Sequence, residues 1–188
     1  MFEICAESKQ VQYADESYLL WRWILVKIRL FQEHDWPVVW GMVEPVLRAG
    51  ETYPFPPDTT EAQGYELWVQ VPVATFVAED DQSSLVGTYY IKPNQPGLGA
   101  HVCNCGYIVS QEASGRGIAS MMCRHSQEQA VARGFRAMQF NMVVATNEVA
   151  LHLWKKLGFQ VIGLLPKAFK HSKHGFVDAF IMYKELLT

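Results

Sequence analysis

A chain of 188 residues with 49% hydrophobic and 19% charged residues is long enough to bury one core and too apolar to stay disordered. Its net charge of -3 and pI near 6.1 lack the basic footprint of a nucleic-acid binder, which leaves small-molecule or protein partners. Arg22, Lys27 and Arg29 interrupt the most apolar segment, 18–31, so no membrane span is expected, and MFEICAESKQ does not read as a secretion signal.

In chain order, residues 1–22 are expected to be an N-terminal extension and 23–188 a single domain. ILVKIRL (24–30) alternates as a strand, with Val26, Ile28 and Leu30 on one face and Lys27 and Arg29 on the other. Asp35, followed by Pro37, marks the cap of a helix ending near Ala49-Gly50, with Pro45 placed to kink it. After the proline-stiffened loop ETYPFPPD (51–58), Asp58 or Thr59 can cap a second helix running to about Gln70. Strands at 73–80, 85–93 and 100–109 form an antiparallel meander. Helix (116–133), strand (136–144), helix (147–157), strand (159–165), loop and strand (176–186) follow. That alternation implies a mixed α/β fold: one parallel pairing inside a mostly antiparallel sheet, with helices on both faces.

At YIVSQEASGRGIASMM (107–122), Gly115 and Gly117 flank Arg116 where the chain enters a helix. Uncovered amides over 115–119, together with the helix dipole, suit an anion, although a plain helix-entry turn has the same pattern. On strand 136–144, Met138, Phe140 and Met142 share one face, while Gln139, Asn141 and Val143 share the other. On strand 100–109, His101, Cys103 and Cys105 oppose Val102, Asn104 and Gly106. The His/Cys face lacks a second cysteine pair for a structural zinc, so core packing and no metal are expected. The four cysteines (Cys5, Cys103, Cys105, Cys123) are expected to be reduced thiols in a cytoplasmic protein. His171 and His174 are placed in a loop, either solvated or at a substrate rim, and Lys155 and Lys156 on a solvated helix face.

SGRGIA, followed about thirty residues later by Asn-x-x-Ala-Leu-x-Leu-Trp-x-x-Leu-Gly-Phe (147–159), closely resembles the GNAT acetyltransferase superfamily from about residue 24 onward. The resemblance implies acetyl-CoA in a splay between strands 100–109 and 136–144. Backbone at Ile108 and Val109 would meet the pantetheine arm, and Ser114, Gly115, Arg116, Gly117, Ile118 and Ala119 the pyrophosphate. Asn147 would hydrogen-bond the cofactor, with a simple helix N-cap as its other reading. Trp154 stands where many members carry a tyrosine that protonates the departing thiolate, a task indole cannot perform. Ser114 replaces a frequent Gln or Arg.

His-x-x-Asn (101–104), Phe-Asn-(x)5-Asn (140–147), GTYYIKPN (87–94) and Val177-Asp178-Ala179 are similar to segments of the azetidine-2-carboxylate N-acetyltransferase group. That likeness implies Asn104 beside the reacting amine and Asn141 on a substrate carboxylate; two buried structural amides are the alternative. The expected reaction is direct attack of a small amino-acid-like amine on acetyl-CoA, with an amide near Val109 on the developing oxyanion and Asn104 orienting the amine or a water. Peptide or protein acetylation, or acetyl-CoA sensing without catalysis, remain open, as does a homodimer.

Overall fold

The structure, a computed structural model, describes residues 26–187, so the extension 1–22 and the first two residues of strand 24–30 lie outside the described residues. Seven strands form one sheet: β1 (Lys27–Leu30), β2 (Ala74–Glu79), β3 (Leu85–Pro93), β4 (Val102–Val109), β5 (Ala137–Val144), β6 (Gln160–His171) and β7 (Gly175–Glu185). Their spatial order is β1-β2-β3-β4-β5-β7-β6, and every pairing is antiparallel except β4 with β5. Among the described residues, no helix is long and apolar enough to cross a membrane.

Among the described residues four α-helices cover the two faces. Helices α1 (Trp36–Ala49) and α2 (Glu61–Tyr65) bring Val39, Val43 and Leu47, with Trp68 just beyond α2, onto Val77, Tyr90 and Ile108. On the opposite face, α3 (Ile118–Ala132) and α4 (Glu148–Lys156) cover Phe76, Tyr89, Cys103, Cys105, Met138 and Phe140. In α3, Ile118, Met122, Ser126 and Ala130 recur every four residues and are all buried, the stripe expected of a helix lying on a sheet. Helix α1 runs through Pro45 and ends on Gly50 in the left-handed region (φ 62°).

Several expectations need correction. Asp35 precedes α1, but its carboxylate does not cap it. The group is buried and accepts from Arg29 at 2.8 and 2.9 Å and from the Gln32 amide at 2.8 Å. Arg29 also reaches Glu79, so it is the hub of an ion network, and Leu30 is 54% exposed. The second helix is capped by Thr60, whose Oγ1 accepts from the Gln63 amide; Thr59 instead bonds the Pro56 carbonyl. Beyond Tyr65 the chain widens into a π turn, Glu66–Gln70, closed by the Val71 amide on the Glu66 carbonyl.

A register shift between Phe140 and Val143 breaks simple alternation in β5, so Val143, rather than Met142, joins Phe140 in the core. Strand β6 continues past residue 165 to His171, with its pairing shifted between Leu165 and Phe169 around Pro166 and Lys167. His171 is therefore not in a solvated loop: it is buried at the strand end, 4.6 Å from the His174 ring, and its Nδ1 accepts from the Lys173 amide.

Candidate active site

Strands β4 and β5 pair only at Val102–Ala137 and Cys103–Met138, then part. Asn104 sits at the fork. Its Nδ2 donates to the Gln139 carbonyl at 2.8 Å, holding the diverging strands together through a side chain where backbone pairing has stopped. The Asn104 Oδ1 keeps its acceptor capacity.

Antiparallel alternation decides which backbone groups face the gap. Ser110 donates to Val86, and Val102 accepts from Asn94, so the even-numbered residues of β4 bond toward β3. Ile108 therefore turns its N–H and C=O to Thr88 and is not a free partner for a cofactor, contrary to the expectation for that residue. Cys105, Tyr107 and Val109 turn theirs toward β5. From the loop after α1, the largely buried Tyr53 hydroxyl donates to the Tyr107 carbonyl at 3.0 Å; desolvation pushes this phenol well above its usual pKa. Sequence reasoning did not single out Tyr53, because a tyrosine in a proline-rich loop carries no positional signal.

A cleft of about 420 Å³ follows the gap, reached by Asn104, Val109, Asn141, Asn147 and Trp154 and walled by Tyr53 and Phe55. Gly106 forms part of its floor because the Tyr90 ring crosses it: a Cβ there would lie 2.6 Å from that ring. Asn141 is held at both ends. Its Nδ2 donates to Asn94 Oδ1 at 2.6 Å and its Oδ1 accepts from Gln139 Nε2 at 2.8 Å, leaving one amide hydrogen. Asn147 Oδ1 caps α4 through the Ala150 amide at 3.1 Å, so its Nδ2 is the part left to face the cleft. Trp154 is buried among Tyr107 (5.2 Å) and Phe140 (5.0 Å), an aromatic position within the core as well as a cleft wall.

Past the end of β4 lies the turn into α3. Gly115 (φ 78°) and Gly117 (φ 77°) take left-handed conformations, and a Cβ on either would meet nothing within 4 Å. No side chain caps this helix, and its first backbone acceptor, Gly117, receives from Met121. The amides opening the helix thus have no intrahelical partner, and the cradle above them is open, which fits a pyrophosphate. Ser114 contributes less than expected, since its amide is tied to Gln111 in a 3-10 turn. Ile118 is 2% exposed, so only its amide is available; Arg116 and Ala119 lie at the turn's surface.

Cys103 and Cys105 pack toward α3, and burial pushes the Cys105 thiol upward, making it a poor nucleophile. His101 is exposed, with Nδ1 at the Leu98 carbonyl. Among the described residues no group of three or more His, Cys, Asp or Glu is gathered to hold a metal.

The model of the acetyltransferase (GNAT) family matches residues 28–159. The chain belongs to this family. N-acetyltransferase aca1 of Schizosaccharomyces pombe is 32% identical over 151 residues, covering 72% of each chain. Protein SPT10 of Saccharomyces cerevisiae is 30% identical over 107 residues, 55% of this chain but only 16% of that much longer protein. A solved GCN5-related N-acetyltransferase from Kribbella flavida superposes with a TM-score of 0.81 at 39% identity, covering 85% of this chain and 97% of that one. A phosphinothricin acetyltransferase from Sinorhizobium meliloti, solved with acetyl-CoA, shares the fold at 21% identity (TM-score 0.74, covering 86% and 89%). The mixed sheet with one parallel pair is the fold of this family, and the chain is an acetyl-CoA-dependent N-acetyltransferase.

Proposed function

We propose that the enzyme acetylates the amine of a small amino-acid-like molecule that carries a carboxylate. One observation carries the reading: Asn104 and Asn141, on strands that part at the fork, both reach the cleft. The likeness to the azetidine-2-carboxylate group supports the same reading and extends it to cyclic imino acids. The loop walls Tyr53 and Phe55 support a compact acceptor over a folded protein surface.

Acetyl-CoA bound along the gap would supply the activated acetyl thioester. In this reading Val109 presents backbone groups to the pantetheine arm, the amides of 115–119 hold the pyrophosphate, and the Asn147 Nδ2 donates to the cofactor. Asn104, fixed through Nδ2, offers Oδ1 to an N–H of the acceptor amine and so directs its lone pair. Asn141 uses its remaining amide hydrogen on the carboxylate. A gap-facing amide on β4 stands where charge develops on the carbonyl oxygen. Among the described residues no carboxylate lines the cleft, so water carries the amine's proton away and delivers to the departing thiolate the proton that Trp154 cannot give.

Thiol release from acetyl-CoA, measured against free amino and imino acids, their carboxyl-amides, peptide N-termini and peptide lysines, tests this reading. Turnover concentrated on the free acids is expected. Turnover on peptides alone would replace it with protein acetylation, and acetyl-CoA binding without release on any amine would leave a sensor.

A further inference from the structure

The cleft contains a cation that the reaction as described does not use. Lys92, near the end of β3, is the direct cross-strand partner of Asn104, so the two side chains stand together on one sheet face. It is half-buried in the cleft wall, with Nζ 5.3 Å from the centre of the Tyr90 ring.

Among the described residues neither Asp, Glu, Arg nor His lines this cleft, which makes Lys92 the one formal charge they bring to it. No described residue forms an ion pair or a hydrogen bond with Nζ. The other strongly placed cations differ: Arg29 holds Asp35 and Glu79, and Lys184 donates to Gln127 and the Leu157 carbonyl. A lysine on the solvent face needs no counter-charge, but one drawn into a wall is partly stripped of water. The ring face of Tyr90 offsets some of that loss and accepts no conventional hydrogen bond. Partial burial draws the Lys92 ammonium below its usual pKa, with no neighbouring charge acting against the shift. A half-buried ammonium with no ion pair among the described residues, beside the residue that orients the amine, suits an anionic group of the substrate.

We propose that Lys92 is the specificity-determining residue of the acceptor site, receiving the substrate's carboxylate through a charge-assisted hydrogen bond while Asn104 orients the amine. The inference rests on the small amino-acid reading above. It shifts the main attraction for the carboxylate from Asn141, whose amide is already engaged with Asn94, to Lys92; Asn141 then fixes the carboxylate's orientation. Because Lys92 and Asn104 stand directly opposite on one sheet face, acceptors whose amine and carboxylate are on the same or adjacent carbons suit the pair best. A lysine ε-amine has no carboxylate within that reach.

The test is the ratio of kcat/KM for an amino acid to that for its carboxyl-amide, compared across native enzyme, Lys92→Gln and Lys92→Arg. Differences in amine basicity between the two acceptors cancel when variants are compared. The native ratio should fall at least tenfold in Lys92→Gln and stay within about threefold in Lys92→Arg, with acetyl-CoA affinity by calorimetry reporting an intact fold. A native preference for the acid that persists unchanged in Lys92→Gln overturns the role of Lys92 and leaves the substrate class standing. If the native enzyme shows no preference for the acid, the substrate class fails, and the inference with it. If Lys92→Gln does not fold, the Lys92→Arg ratio decides: retention supports the cation, and collapse of the ratio in the folded Arg variant overturns it.

Discussion

Gly117 offers a perturbation in which charge can be separated from shape. Its φ of 77° is costly for most residues, roughly 1–2 kcal/mol, but asparagine and aspartate tolerate that region best. Space above it is open, so neither Gly117→Asn nor Gly117→Asp creates a clash. Both side chains can accept from the uncapped amides of α3, and they differ by one negative charge. At about 5 Å from a phosphate, with an effective dielectric between about 20 and 80, one added charge costs roughly 1–3 kcal/mol per phosphate charge, or about ten- to a hundredfold in Kd. The aspartate should favour the apo helix through its dipole, so weaker binding could not be assigned to unfolding. Calorimetric titration with acetyl-CoA should rank glycine tightest, asparagine weaker and aspartate weakest, and the gap between the two variants should narrow in high salt. Equal affinities for Gly117→Asn and Gly117→Asp would refute the pyrophosphate assignment.

Trp154→Phe removes part of an aromatic cluster and should cost about 1–2 kcal/mol in chemical denaturation while leaving thiol release within a few-fold; a collapse of turnover at unchanged stability would show that the indole itself is needed. Gly106→Ala forces the Tyr90 ring off its seat against Trp68, 4.9 Å away, and should destabilise by about 1–3 kcal/mol; an unchanged melting temperature would contradict the close approach. The Arg29 hydrogen bonds hold Asp35 below its usual pKa, so its stabilisation is complete above the unfolded value near 4 and is lost as pH falls through the lower folded value. Asp35→Asn should therefore cost roughly 2 kcal/mol at neutral pH, with the difference from the native protein shrinking below about pH 4; a gap independent of pH would deny the ion pair its role.

The ladder of strands and helices was legible because 85–93 and 100–109 are runs rich in β-branched and aromatic residues between punctuating turns, and 147–157 carries both its cap and its apolar stripe. What alternation could not show was its own interruption. The shift in β5 moves Val143 into the core, and the shift in β6 carries the strand across Pro166, both consequences of how neighbours pair. Similar reasons hide parts of the candidate site. Parity distinguishes Ile108 from Val109 only once β3 is known to bond the even residues of β4. Tyr53 and Lys92 enter the cleft through a loop path and a cross-strand register that single-strand patterns do not contain. Asn104 and Asn141 stood out because an amide inside an apolar strand is already unusual, whereas the hydrogen bonds that tie them to Gln139 and Asn94 depend on tertiary contacts.

We propose that acyl transfer takes place at the fork between β4 and β5. A crystal structure with a non-hydrolysable acetyl-CoA analogue and an amino acid acceptor tests it most directly. The expected density has the pantetheine arm in the gap against the Val109 backbone, the pyrophosphate on the amides of 115–119, and the acceptor amine at Asn104 Oδ1 with its carboxylate toward Lys92. Cofactor density outside the β4–β5 gap, with Tyr53 still donating to Tyr107 and no acceptor beside Asn104, would contradict it.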